Sequence, residues 1–363
     1  MKRKAKYELV TEWIEERIAS GELIGGEKIE SENEISNFFN ISRQTARHAI
    51  GNLVEKKILY RVQGSGTYVS DVSGCENKQQ EISKSVTIIS TYTSGYIFPR
   101  ILQEMVNTLG SLGYSARIMF TNNSVETEKQ LLLRILEENS RDALIVEPVK
   151  SGLPNPNLKY YRRLKARGIP IVFFNTFYPE LDIPHISMND VLAGKAATDY
   201  LIEKGHREIG GIFKSDDGQG RRRYQGYVKA LEHAGIALDE EKICWVDTQE
   251  LKDDFKYSLR IWQRLKKCTA CVCYNDEVAH SISEKASEYM LRIPEQLSIV
   301  SIDNSERAES NHIPLTSVSH PMERLGEMVA KKIVRLIHSP GEDVTYEFPV
   351  DIRERNSVIE IDR

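Results

Sequence analysis

Nowhere in this chain do apolar residues run on for the roughly 18 positions that a membrane-spanning helix requires, so a bilayer span is not expected. A secretory leader is not expected either. The first residues are basic, but a glutamate-rich helix follows them where an apolar stretch would have to stand. Cysteine is scarce: five in 363 residues, an odd number and no disulfide framework for so long a chain. Reduced thiols and a cytoplasmic location are therefore expected. Cys268, Cys271 and Cys273 stand close together, but no second Cys or His pair follows at ligand spacing, and Ala270 to Cys273 reads as a buried strand. No metal is expected. Gly194-Lys195 is no phosphate loop, because Asn189 occupies the first glycine position and Ala196 the Ser/Thr position. Gly64-Ser65-Gly66 lies between strands, so it is neither a nucleophile elbow nor a dinucleotide loop. With no catalytic set left, the chain is expected to be no enzyme and to need no cofactor. Positive charge is not in excess, and a formal net charge of −4 argues against bulk adhesion to nucleic acid. Specific DNA binding needs only a local positive surface, and Lys2, Arg3, Lys4 and Lys6 cluster at the start.

What is present is concentrated between Ser31 and Val69. Ser31 followed three residues later by Glu34 is a capping box, which predicts a helix start. Ile35, Phe38 and Phe39 then fall on one face of that helix. Asn40-Ile41 leaves room only for a tight turn, and Ser42 caps a second helix. Its apolar stripe is Ala46, Ile50, Leu53 and Val54, with Arg43, Gln44, Arg47 and His48 outside it. Two short helices joined this way, with basic and polar residues leading the second, form a helix-turn-helix. Leu59 to Val62 and Thr67 to Val69 read as strands around the glycine turn, which makes a wing. An earlier helix, Lys6 to Ser20, carries Leu9, Trp13, Ile14, Arg17 and Ile18 at helical spacing. Arginine can donate to guanine and glutamine can pair with adenine. Arg43, Gln44 and Arg47 are thus candidate base readers, and the wing with Gln63 can approach phosphates or the minor groove.

Lys6 to Val69 resembles the winged-helix domain of the GntR family of bacterial regulators. The resemblance rests on Ser31-Glu32-Asn33-Glu34, on Ile41 through Arg47 and on Gln63 through Thr67. It implies DNA contacts by Lys6, Glu32, Ser42, Arg43, Gln44, Thr45, Arg47, His48, Gln63, Gly64, Ser65, Gly66 and Thr67. Lys6 stands where that pattern has a residue touching the DNA backbone, although an ordinary solvated lysine would read the same way.

The DNA-binding domain is expected over residues 1–71, and the polar, aperiodic stretch 72–84 reads as a linker. From Ser85 onward short β-branched runs alternate with helical stretches, which means parallel sheet. So many βα units predict two Rossmann-like lobes. The first is expected at about 85–189 plus 320–340, the second at about 190–318 plus 343–363. Single helices are expected over Asp253 to Lys266 and Asp276 to Met290, and one strand over Val344 to Arg353.

Leu201 to Gly210, Ile293 to Asp303, Tyr274-Asn275-Asp276 and Pro314 to Val318 resemble the LacI/GalR sensor domain, a relative of periplasmic sugar-binding proteins. A GntR-type head on such a sensor is an uncommon pairing. It resembles that of the arabinose-responsive repressors, and so do the phrases Tyr96 to Pro99 and Cys273 to Glu277. In open parallel sheets ligands lie beyond the carboxyl ends of strands. Tyr92, Glu147, Asn175, Asn275, Asp276 and Asp303 all fall just after predicted strands. Asp303 and Asn275 would serve a sugar's hydroxyls, and Tyr92, Tyr96 or Phe98 would cover its C–H face. Arg223 enters by resemblance, three residues before Gly226, with Arg221 and Arg222 as neighbouring competitors. Each has a structural alternative: Asp303 and Asn275 could be caps, and Tyr96 and Phe98 core residues. The resemblance implies a cytoplasmic repressor that binds double-stranded operator DNA as a homodimer. L-arabinose is its expected effector, with another sugar or small metabolite as the alternative.

Overall fold

A computed structural model of the chain describes residues 6–19, 22–62, 64–70, 84–92, 95–138, 140–253 and 255–362. The expected linker, apart from its last residue Lys84, lies outside the described residues, as do the basic residues before Lys6 and the wing residue Gln63. The chain forms two compact units, residues 1–82 with 158–169 and residues 83–157 with 170–363.

The head contains α1 (Lys6–Ala19), α2 (Glu32–Phe39), α3 (Arg43–Glu55) and an antiparallel hairpin of β1 (Leu59–Val62) and β2 (Gly66–Val69). The Ser31–Glu34 capping box is formed in both directions, and Asn40 ends α2 in the left-handed conformation, which turns the chain into Ser42. Ser42 Oγ accepts from Thr45 N at 3.1 Å and starts α3. Val10, Ile14, Ile35, Ala46, Ala49, Ile50, Leu53, Leu59 and Val69 build the core. Two expectations need correcting. Phe38 is 71% exposed and stacks on Trp13, and Leu9 is 44% exposed, its core place on α1 taken by Val10. Ile35 and Phe39, one turn apart, take the core-facing line of α2, and Phe38 flanks it on the solvent side.

The sensor opens with β3 (Ser85–Ser90), α4 (Phe98–Ser111), β4 (Ser115–Phe120), α5 (Val125–Glu137) and β5 (Ala143–Val146). Then come α6 (Leu158–Ala166), which falls in the first compact unit, and β6 (Ile171–Phe174), β7 (His185–Met188), α7 (Asp190–Glu203), β8 (Ile209–Lys214) and α8 (Gly218–His233) of the second. Next in the chain are β9 (Ile243–Val246), α9 (Thr248–Lys252), α10 (Leu259–Leu265), β10 (Ala270–Cys273) and α11 (Asp276–Lys285). It closes with β11 (Ser298–Asp303), α12 (Glu306–Ser310), β12 (Thr316–Ser319), α13 (Met322–His338), β13 (Tyr346–Phe348) and β14 (Ile352–Arg353).

Two six-stranded sheets result, ordered β4-β3-β5-β6-β7-β13 and β9-β8-β10-β11-β12-β14, parallel except where β14 meets β12. These are two Rossmann-like lobes. The chain passes between them after β7, after β12 and after β13. The expected strand Val344 to Arg353 is therefore two: β13 joins the first sheet and β14 the second. Pro349 between them has no N–H to continue a ladder. Residues 346–348 thus sit in the first sheet, not in the second lobe where 343–363 was expected. The expected helix Asp253 to Lys266 is also broken. Asp247 and Glu250 form a capping box that starts α9 early, and α10 begins afresh after Ser258. The expected helix to Met290 stops being α-helical at Lys285 and finishes as a 3-10 turn, Ala286–Tyr289.

Candidate functional site

On the head, α3 buries Ala46, Ala49, Ile50 and Leu53, and its 3.6-residue period leaves Arg43, Gln44, Arg47 and His48 exposed together. Glu32 collects the arginines. It accepts from Arg43 Nε at 3.2 Å and from Arg47 Nε and Nη2 at 3.0 and 2.9 Å, with Arg61 Nη2 3.7 Å away. The hydrogen bond from Arg47 outweighs partial burial and holds the Glu32 carboxyl below its ordinary range. Exposed pairs of this kind contribute about 0–1 kcal/mol, so another anion can take Glu32's place at little cost. Lys6 lies at the start of α1, and Tyr7 beside it packs edge-on to His48 at 4.9 Å. Thr45 is tied to Ser42 by a hydroxyl contact of 2.8 Å. In the wing, Gly64 and Gly66 take φ of 78° and 140°, conformations that favour glycine, and Ser65 Oγ lies 2.5 Å from Tyr68 Oη. Thr67 lies in β2.

In the sensor, the strand ends of the two lobes face each other across a cavity of about 340 Å³. It lies where the strand order reverses, beyond β3 and β5 on one side and β8 and β10 on the other. Arg223 is its anchor. Helices α7 and α8 pack backbone against backbone: a Cβ at Gly194 would fall 1.9 Å from Arg223 O, and one at Gly226 2.0 Å from Val191 O. That approach sets Arg223 against Asp190, which accepts from its Nε at 2.9 Å. Nη1 donates to Tyr274 O at 2.6 Å and Nη2 to Asp303 Oδ1 at 3.0 Å. Burial alone would lower the guanidinium pKa, but the charges of Asp303 and Asp190 outweigh it and raise it well above its ordinary value. Burial pushes Asp190 up to about 6, against the pull of Arg223. Arg223 is 1% exposed, whereas Arg221 is exposed and Arg222 pairs instead with Glu347 at 2.9 Å.

Asp303 sits at φ 108°, a strained backbone for any residue but glycine. It is held by Arg223, by Tyr96 Oη donating to Oδ2 at 2.5 Å and by His320 N donating to its carbonyl at 3.1 Å. Glu147 is buried and accepts from Ser90 Oγ, Thr91 N, Thr91 Oγ1 and Asn175 Nδ2 at 2.6–3.1 Å. Its burial raises its pKa. Asn175, at φ 61°, is thereby oriented with its Oδ1 buried and unpartnered among the described residues. Tyr92 and Phe98 meet edge to face at 5.5 Å on the cavity wall. Asn275 also lines the cavity, and its Oδ1 caps α11 through Val278 N at 3.0 Å.

Asp276 departs from expectation. Its carboxylate is turned into the second lobe, where it accepts from Ser301 Oγ, Ser317 Oγ and Ser305 N at 2.5–2.7 Å. Burial raises it to about 6. As the first residue of α11, it points its side chain away from the cleft that its neighbour Asn275 faces. The cavity also gathers residues not anticipated: Asn123, Lys150, Lys214, Asp216, Asp217 and Thr248. Asp216 and Asp217 follow β8 as Asp303 ends β11, so the strand-end rule applied to every strand would have found them. Lys214 is the last residue of β8 itself.

The chain matches the model of "Bacterial regulatory proteins, gntR family" over residues 6–69 and that of "Periplasmic binding protein-like domain" over 198–358. It is 39% identical to the "Arabinose metabolism transcriptional repressor" of Halalkalibacterium halodurans over 345 residues, 94% of this chain and 91% of the relative. The protein of the same name from Geobacillus stearothermophilus is 36% identical over 99% of this chain and 100% of its own length. The chain belongs to the arabinose metabolism repressors of the GntR family. It is a DNA-binding transcriptional regulator, and its relatives are repressors, not enzymes. Among solved structures, the CelR–cellobiose complex aligns with a TM-score of 0.68 at 20% identity, covering 87% of this chain and 90% of that one. CcpA of Lactococcus lactis aligns with the same score at 23% identity over 76% and 99%. At those identities they attest the fold alone. No helix among the described residues is long and apolar enough to cross a membrane.

Proposed function

We propose that this repressor works in the cytoplasm as a homodimer on an operator of two half-sites, and that L-arabinose binding in the interlobe cleft releases it. The observation that carries the effector reading is a pair of buried acceptors on the cavity wall, Asn175 Oδ1 and Asp216 Oδ1, that no hydrogen-bond donor among the described residues meets, Lys214 Nζ standing off at 3.8 Å from the second. Buried acceptors without donors are costly, and a neutral ligand rich in hydroxyls supplies donors. Asp303 and the fixed fork of Arg223 take one pair of hydroxyls, and Asn275 and Asn175 take others. Tyr92 and Phe98 cover the C–H face, with Tyr96 bracing Asp303. Glu147 orients Asn175, and Asp276 holds the second lobe's strands instead of touching sugar. A cavity of about 340 Å³ lies at the small end of the ~300–1,000 Å³ range of ligand sites. That size favours a monosaccharide, and the relatives' name supports arabinose.

On DNA, Arg43, Gln44 and Arg47 read base edges, and Glu32 hands the arginines over and accepts from a cytosine amine. Lys6, Ser42, Thr45, His48 and the wing from Gln63 to Thr67 fix the register on the backbone. The sugar shifts operator affinity only by as much as it prefers one lobe arrangement over another. If closure re-spaces two heads on their linkers, the effective concentration of the second head falls. A thermal-shift panel of L-arabinose, D-xylose, D-ribose, D-glucose and adenine tests the effector. At a hundredfold excess over its dissociation constant, the true ligand adds about 2.7 kcal/mol of stability. A shift with L-arabinose alone is expected. Stabilisation by another member and none by L-arabinose would discard the sugar and leave the DNA-binding reading intact.

A further inference from the structure

Three contacts close the cleft around the turn that follows β8, and each joins one lobe to the other. Gly152 N donates to Asp216 O at 3.3 Å. Gly218 N, at the start of α8, donates to Ser151 Oγ at 3.0 Å. Asn123 Nδ2 donates to Thr248 Oγ1 at 3.0 Å, while its Oδ1 accepts from Lys150 N at 3.0 Å, which ties the Lys150–Gly152 turn to the same junction. Lys150 Nζ lies 3.7 Å from Asp216 Oδ2 across the gap.

The turn is braced from behind within its own lobe. Glu128, fully buried, accepts from Asn155 Nδ2, Asn157 Nδ2 and Tyr178 Oη at 2.8–3.0 Å, and Val149 N donates to Tyr178 Oη at 2.8 Å. The turn therefore presents a fixed surface to the other lobe. Gly152 is the point of closest approach: a Cβ there would lie 2.7 Å from Asp217 N and 2.9 Å from Asp217 C and O. Those three atoms are the first it would meet, and all are backbone of the opposite lobe. The φ of Gly152 lies outside the left-handed region, so an alanine strains nothing until the lobes meet.

We infer that the Lys150–Gly152 turn is a latch that seals the cleft by seating on the Asp216–Gly218 turn, and that Gly152 is required because only a residue without a side chain lets the lobes close. The inference rests on the reading of the cleft as the effector site. Gly152 need not touch the ligand. Its side-chain-free backbone sets the energy of the arrangement the ligand selects, so a larger residue penalises closed over open. The phenotype is a repressor that holds its operator and ignores its inducer.

The test uses the full chain with Gly152→Ala, Gly152→Val and, as a variant that adds no volume, Ser151→Ala. L-arabinose affinity is measured by calorimetry, operator release by fluorescence anisotropy and lobe closure by solution scattering. Operator affinity without sugar is expected to stay within twofold of wild type for all three. Sugar affinity is expected to fall about tenfold for Gly152→Ala and further for Gly152→Val, and by about threefold for Ser151→Ala, which loses the one side-chain hydrogen bond from Gly218 N across the cleft together with that to Thr176 Oγ1 in its own lobe. Sugar affinity and release within twofold of wild type in both Gly152 variants would overturn the latch, and if they misfold, an unchanged Ser151→Ala does the same. Should wild type ignore L-arabinose, scattering of the ligand-free proteins decides. A more open Gly152→Val keeps the latch and discards the sugar, and identical curves discard both.

Discussion

Arg43 and Arg47 of the head keep 60% and 56% of their side-chain surface and lean on one carboxylate, whereas Arg223 of the cleft keeps 1% and is gripped by two carboxylates and a carbonyl. Both regions use the same planar, always-charged fork. The head leaves it in water, where Glu32 is a weak and exchangeable partner, so the arginines can be passed to a base edge or a phosphate. The cleft takes it out of water, where partners cannot be exchanged without leaving charge unpaired. One arrangement suits a long polyanion read by sliding and docking. The other suits a small neutral molecule that must find its donors and acceptors already in place.

The comparison breaks most visibly at Arg223. Arg223→Ala leaves Asp190 and Asp303 buried without their cation, and a loss of about 3–5 kcal/mol from the sensor is expected, together with loss of sugar binding. Urea unfolding followed by tryptophan fluorescence measures it, and a loss below about 1 kcal/mol would mean the guanidinium is not fixed as described.

His320 sharpens the contrast at a site with no head counterpart. It lies in the second crossing between the lobes, buried, with both ring nitrogens unpartnered among the described residues. The charged groups around it are Asp303, Arg223 and Glu323, and burial lowers its pKa to about 4. A depressed folded pKa contributes stability that is complete above the unfolded value of about 6.5 and is lost as pH falls toward 4. Asp190 and Asp276, raised to about 6, act oppositely and lose stability as pH rises through 6. The gap between wild type and His320→Phe isolates the histidine. Between pH 7 and pH 4 that gap should move by roughly 3 kcal/mol against wild type, and a gap indifferent to pH would place the ring in contact with water or a donor.

A smaller effect is expected on the head. Arg47→Ala should leave folding within about 0.5 kcal/mol, since the Glu32 pair is exposed, while costing about 1–3 kcal/mol of operator affinity. Denaturation and anisotropy at one salt concentration separate the two. An equal loss in both would make Arg47 a structural residue like Arg223.

The same difference explains what could be read from the chain alone. The head is local: caps at Ser31 and Ser42, the stripe on α3 and the glycine turn lie within a few dozen consecutive residues, and each carries its own hydrogen-bond logic. Only side chains whose fate depends on tertiary packing, Phe38 and Leu9, were misplaced. The cleft is assembled from strand ends spread from Tyr92 to Asp303. Position after a strand brought out Tyr92, Glu147, Asn175, Asn275 and Asp303, but it could not tell which way Asp276 turns. It also passed over Asp216, Asp217 and Thr248, which follow strands by two or three residues, and Asn123, which belongs to a turn. The division of Val344 to Arg353 between two sheets is set by pairing partners more than 150 positions away in β7, which no local pattern encodes.

Fluorescence anisotropy on the DNA upstream of the protein's own gene, at fixed salt with and without L-arabinose, tests the link between the two regions most directly. The account predicts tight binding without sugar and a marked loss of affinity with it, a loss that Arg223→Ala or Asp303→Ala abolishes. Tight binding unchanged by saturating L-arabinose would contradict it.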